Sequence, residues 1–192
     1  MRLFKNPVLL AQRIIAEILR PGDRAIDATA GNGNDTLFLA GIVGSTGEVF
    51  AFDTQPQAIH RTAQRLKEAA APAKVYLVNA GHENMLNYVS GQFQAIMFNL
   101  GYLPGTGQQF ATQPESTVLA LQQAVKLLAP AGIITVVVYV GHEGATAEQQ
   151  AVEEWAQSLP QKEWDLLRCD YPNRANDPPY LIVIQRVEET VV

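Results

Sequence analysis

Cysteine is nearly absent: Cys169 is the only one in 192 residues. A single thiol excludes an intramolecular disulfide framework and a multi-cysteine metal site. It suits a reducing compartment. No apolar run approaches the ~18 residues of a membrane-spanning helix. The start, Met1 to Pro7, lacks the long apolar core and small-residue cleavage site of a secretory signal. The expectation is a cytoplasmic chain without a membrane partner and without a bound metal. Charge is also sparse and of the wrong sign for one class of ligand. Charged residues make up 17% and the formal net charge is −5, which excludes avid nonspecific nucleic-acid binding, since that needs many cationic phosphate contacts. Local basic groups remain: Arg2, Lys5, Arg13, Arg20 and Arg24, then Arg61, Arg65 and Lys67, then Arg168 and Arg174. Repeats, low-complexity tracts and composition shifts are lacking too, so residues 1–192 read as one domain. Composition leaves a homodimer open.

What is present is alternation. Hydrophobic residues make up 47%, and a chain of this length can bury roughly 70% of its unfolded surface. Apolar residues at helical spacing run from Val8 to Leu19, between Asn6-Pro7 and Pro21-Gly22. Short apolar strands are expected at Ala25–Ala28, Val49–Phe52, Val75–Val78 and Ala95–Asn99, and a longer one at Ile133–Tyr139. Thr54 with Gln57 predicts a capping box opening a helix with a buried stripe of Ile59, Ala63 and Leu66. Thr112 with Glu115 predicts another, over Val118, Leu121, Val125 and Leu128. A short helix is expected near Glu83 to Val89, and a last helix from Thr146 and Gln149 turns Val152, Trp155 and Leu159 inward. Trp164–Cys169 and Leu181–Gln185 have no helix between them and predict an antiparallel pair. The fold class is therefore α/β: a doubly wound, mostly parallel sheet of seven strands with an antiparallel C-terminal hairpin.

Ligands of such sheets bind outside the carboxyl ends of the strands. The polar and glycine residues gather there. Asp27-Ala28-Thr29-Ala30-Gly31-Asn32-Gly33-Asn34-Asp35-Thr36 joins a strand to a helix start. Gly31 and Gly33 lack Cβ and allow a ligand close to the backbone, and N–H groups at the helix start suit a carboxylate or phosphate. Asp53 ends the next strand, twenty residues after Gly33, where a carboxylate can accept bonds from both ribose hydroxyls. A dinucleotide fingerprint wants a third glycine three residues after Gly33, and Thr36 stands there. Asp27 is a poor neighbour for a pyrophosphate and a plausible partner for an amino group. Both features favour S-adenosylmethionine (SAM), a cation with an amino group, over NAD.

Asp27 to Ala40 resembles motif I of class I SAM-dependent methyltransferases. More narrowly, it is similar to a small bacterial family of rRNA-methylase-like proteins understood as tRNA wobble-uridine methyltransferases acting on 5-aminomethyl-2-thiouridine. Asn99-Leu100-Gly101-Tyr102-Leu103-Pro104-Gly105, Tyr139-Val140-Gly141-His142-Glu143-Gly144 and Asn173-Arg174-Ala175-Asn176-Asp177-Pro178-Pro179 match in the same order. The chain departs at Asn34, where the family usually has histidine, and at Thr106-Gly107-Gln108, where glycine and aspartate are common. The resemblance implies a Rossmann-like fold and SAM as cofactor. It implies cofactor contacts from Asp27, Thr29, Gly31, Asn32, Gly33, Asn34, Asp35, Thr36, Asp53, Gln55, His82 and Asn99, and tRNA, at its anticodon loop, as partner.

The transfer site falls on Asn99 and Tyr102, spaced as in the Asn-Pro-Pro-Tyr motif of amino-methylating enzymes. An amine must present its lone pair in line with the methyl group. An Asn oxygen can accept its N–H bonds, and Tyr102 offers a face for a base or a cation. His142 is the third candidate catalytic residue, as a base or as a group that orients substrate. Leu103, Pro104, Gly105, Tyr139, Asn173 and Arg174 are expected on the substrate side. The acidic net charge also suits a small-molecule amine methyltransferase, and another RNA such as rRNA is a further acceptor.

Overall fold

The computed structural model describes residues 4–101, 112–140, 145–175 and 178–187. The chain opens with α1 (Pro7–Ile18), whose N-cap Asn6 accepts the Leu9 N–H through Oδ1 at 2.8 Å. Then follow β1 (Arg24–Asp27), α2 (Asn34–Val43), β2 (Glu48–Phe52), α3 (Pro56–Glu68) and β3 (Lys74–Val78). A 3₁₀ turn over His82–Asn87 precedes β4 (Phe93–Asn99), α4 (Pro114–Leu127), β5 (Leu128–Val138), α5 (Ala145–Gln157), β6 (Trp164–Cys169) and β7 (Tyr180–Arg186).

The seven strands lie in the order β3-β2-β1-β4-β5-β7-β6. β1 to β5 are parallel, while β7 runs antiparallel to both β5 and β6. The expected sheet, with its antiparallel end, is thus the one observed. Side chains alternate between two cores, as period-two strands require. Ile26, Ile96, Phe98, Ile134 and Val136 pack with Leu121 of α4 and Val152 of α5. Ala25, Ala95, Met97, Ile133 and Val137 pack with Ile15 of α1 and Leu39 of α2. Chain order reverses between β1 and β4, and the crevice at their carboxyl ends is where such sheets bind ligands.

Three local expectations are corrected. The N-cap of α3 is Gln55, not Thr54, and it makes no side-chain cap bond. Pro56 has a preset φ and no N–H to satisfy, so the helix starts without a capping box. Its buried residues are Ala58 and Thr62, while Ala63 is exposed, so the inward stripe is turned by one residue. α4 likewise starts at Pro114 with Gln113 as N-cap and no capping box, and Leu128 belongs to β5. The short helix before β4 is a 3₁₀ turn that begins at His82. Among the described residues no helix is long and apolar enough to cross a membrane.

Candidate active site

A cavity of about 480 Å³ opens at the carboxyl ends of the strands, within the ~300–1,000 Å³ of cofactor-sized sites. Its walls include Thr29 to Asn32, Asn34, Asp35, Asp53, Gln55, His82, Asn99 and Tyr139. Nine of the residues expected to touch a cofactor therefore share one wall system: Thr29, Gly31, Asn32, Asn34, Asp35, Asp53, Gln55, His82 and Asn99.

The other three expected cofactor residues, Asp27, Gly33 and Thr36, stand behind the wall. Asp27 is fully buried, and its carboxylate accepts the Thr29 N–H at 3.1 Å and the Thr36 hydroxyl at 2.6 Å. It ties the start of the loop to the first turn of α2. Burial, reinforced by the nearby Asp35 carboxylate, pushes its pKa up to about 7. Gly33 takes φ +76°, and a Cβ there would fall 2.9 Å from the Thr62 Cα. The close approach of helix α3 therefore requires glycine here.

Asp53 holds the loop from the β2 side. Its Oδ2 accepts the Gly31 N–H and its Oδ1 the Gln55 N–H, each at 2.9 Å. Each oxygen keeps a further lone pair for a ligand hydroxyl. Asn79 secures the same turn by donating to the Asp53 and Thr54 carbonyls at 2.9 and 3.0 Å. His82 is buried, with Nδ1 3.3 Å from the Ala28 carbonyl. Burial lowers its pKa, so it lines the cavity as a neutral imidazole.

Asn99 ends β4 beside the β1 loop, its N–H donating to Thr29 Oγ1 at 2.7 Å. Its Nδ2 donates to Asp35 Oδ2 at 2.5 Å, and its Oδ1 is buried without a partner among the described residues. Asp35 also accepts Gln12 Nε2 at 2.6 Å. Next along the chain, Gly101 N–H donates to Thr112 Oγ1 and Thr112 N–H to the Gly101 carbonyl, both at 2.9 Å. The Thr112 hydroxyl in turn donates to Glu148 at 2.8 Å, and Thr117 donates to the same carboxylate at 2.7 Å. Tyr139, at the end of β5, packs its Cβ 3.4 Å from where a Gly101 Cβ would lie.

Gln12 and Glu148 were not singled out from the sequence, and Thr112 was read only as a helix cap, not as the bridge between Gly101 and Glu148. Gln12 is one polar residue on an amphipathic helix, 23 positions from the carboxylate it holds, and no local pattern marks it. Tyr102, Leu103, Pro104, Gly105 and His142 lie outside the described residues, as does Arg2. Asn173 is exposed, and Arg174 donates to the Phe4 carbonyl at 2.6 Å with its guanidinium 3.7 Å from the Tyr171 ring centroid. Neither lines the cavity. Other arginines of the basic groups serve the fold. Arg61 and Arg65 reach from α3 to Asn32 at 3.3 and 2.6 Å, Arg24 pairs with Glu48 at 3.1 Å, and Arg168 with Glu153 at 2.7 Å.

Comparison with known proteins follows the same line. The family model described as "Putative rRNA methylase" matches residues 49–185. A chloroplastic tRNA (mnm(5)s(2)U34)-methyltransferase of Arabidopsis thaliana is 34% identical over 192 residues, covering 95% of this chain and 70% of that protein. The crystal structure of a putative rRNA-methylase from Clostridium thermocellum is 41% identical, with a TM-score of 0.93 over 96% of this chain and 99% of that one. A putative methyltransferase from Streptococcus mutans, in complex with SAH, is 33% identical with a TM-score of 0.88, over 96% and 99% of the two chains. By the family model over residues 49–185 and the identity to these relatives, the chain belongs to the putative rRNA methylase family.

Proposed function

We propose that this chain is a single-domain SAM-dependent N-methyltransferase that acts on the 5-aminomethyl group of a 2-thiouridine at the tRNA wobble position. The observation that carries the reading is Asn99, which lines the same cavity as the glycine loop and Asp53 and whose buried Oδ1 has no partner among the described residues. The donor set fits SAM. Asp53 has lone pairs left for two ribose hydroxyls, the Gly31–Asn34 backbone suits the amino-acid end, and Gln55 and neutral His82 line a less polar wall. Bound there, SAM supplies an electrophilic methyl group on a sulfonium.

Asn99 Oδ1 accepts one N–H of the incoming amine and holds its lone pair toward the methyl group. The amine reacts in its neutral form: an N–C bond forms, the C–S bond breaks, and the product amine sheds a proton. His142 as the group that takes a proton and Tyr102 as a face for the base belong to the same proposal. So do Leu103, Pro104, Gly105, Tyr139, Asn173 and Arg174 on the RNA side. The named activity of the Arabidopsis relative supports this acceptor. An anticodon loop suits it too, since its bases are already splayed and cost little to extract.

The test is to incubate the protein with SAM and tRNA from cells lacking its gene, then to analyse nucleosides by mass spectrometry. One methyl added to 5-aminomethyl-2-thiouridine is the expected result. An unchanged tRNA together with methylated rRNA or a methylated small amine overturns the acceptor while leaving the chemistry.

A further inference from the structure

The Asn99 side chain is committed on one side only. Nδ2 donates to Asp35 Oδ2, while Oδ1 is buried and has no partner among the described residues. The other Asp35 oxygen is held from α1 by Gln12 Nε2 at 2.6 Å. We infer that Asp35, braced by Gln12, is a positioning residue that sets the flip of the Asn99 amide, leaving its oxygen and not its nitrogen for the substrate amine.

An ionised carboxylate only accepts hydrogen bonds. Turning the Asn99 amide over would set two oxygens against each other at hydrogen-bond distance and point an NH₂ at the incoming amine. Substrate would then meet a donor with a donor. Burial raises the Asp35 pKa, and the bonds from Gln12 and Asn99 offset only part of that rise. A buried acceptor left unpaired is costly, and a substrate N–H offsets that cost. Asp35 also stands in the first turn of α2, where a carboxylate is favoured by the helix dipole. That role alone would affect stability and leave turnover untouched.

The inference rests on the reading of Asn99 above, and the test separates the two. With SAM and tRNA bearing 5-aminomethyl-2-thiouridine, Asp35→Asn keeps the shape and removes the reason for one flip. Its kcat is expected to fall about 10–100-fold, with KM for SAM and the thermal midpoint little changed. Gln12→Leu, which spares the carboxylate, lowers kcat about 3–10-fold. Adding Asp35→Asn to Asn99→Ala costs nothing further, because both act on one contact. Full kcat in Asp35→Asn beside an inactive Asn99→Ala overturns the positioning role alone. Multiplying losses do the same, as does a defect confined to SAM affinity. Full kcat in Asn99→Ala overturns both. Independently of any substrate, the Asn99 side-chain NH₂ resonances should move in Asp35→Asn, and unmoved resonances would refute the link even if this tRNA is not methylated.

Discussion

The backbone at Gly33 lies so close to Thr62 that a Cβ would fall 2.9 Å from the Thr62 Cα and 3.0 Å from its Oγ1. Thr62 is buried on α3, so it has nowhere to retreat. Gly33→Ala combines this clash with a left-handed φ and is expected to cost about 3 kcal/mol. For a chain of this size that is a fall of roughly 6–12 °C in thermal midpoint. A melting curve checks it, and an unchanged midpoint would mean that α3 can shift freely.

Arg65 gives a prediction of a different kind. Its guanidinium holds the Asn32 carbonyl at 2.6 Å, which assigns it to the loop and not to an RNA surface. Arg65→Ala should weaken SAM binding about 3–10-fold, the worth of one solvent-exposed hydrogen bond that holds the loop. The salt dependence of RNA binding should not change. Titration calorimetry with SAM and RNA affinities at several salt concentrations separate the two roles, since a lost phosphate contact would flatten the salt slope.

Asp27 makes stability depend on pH in the direction opposite to a paired surface carboxylate. Its folded pKa, about 7, lies above the usual 3.8 because burial and Asp35 disfavour the charge. The folded state therefore holds a proton that the unfolded state releases. The stabilisation is fully present below about pH 4 and is lost as pH rises toward 7. Relative to Asp27→Asn, the wild type should lose ground between about pH 4 and about pH 7 in urea denaturation. A constant difference across that window would show the group to be ionised throughout.

Thr112→Val removes the acceptor of the Gly101 N–H and a donor to buried Glu148 while keeping the shape. It should cost about 1–3 kcal/mol and lower turnover more than SAM affinity, because Asp53 and the glycine loop lie on other strands. Urea unfolding and steady-state kinetics read the two effects. A loss confined to SAM affinity would contradict the assignment of this clamp to the acceptor side.

The sheet was legible because its signals are local. The apolar run Ala95–Phe98 and the mostly apolar Ile133–Val138 have few readings, and the missing helix between β6 and β7 dictated an antiparallel end. The glycine loop and Asp53 were legible because topology brings consecutive strand ends together. The capping boxes failed where Pro56 and Pro114 offered a simpler start, one that frees Thr112 to bridge Gly101 and Glu148. Gln12, and the reason for Gly33, were invisible for a different cause. Each answers to a residue far along the chain, and spacing carries no trace of that.

The double hydrogen bond between Gly101 and Thr112 ties together two positions eleven apart in the sequence. The entropy of bringing those ends together is met by the clamp and grows slowly with length. Residues can be added, removed or exchanged between them without tugging on Asn99 behind or on α4 ahead. The clamp thus isolates Asn99 and α4 from changes in the sequence between residues 101 and 112.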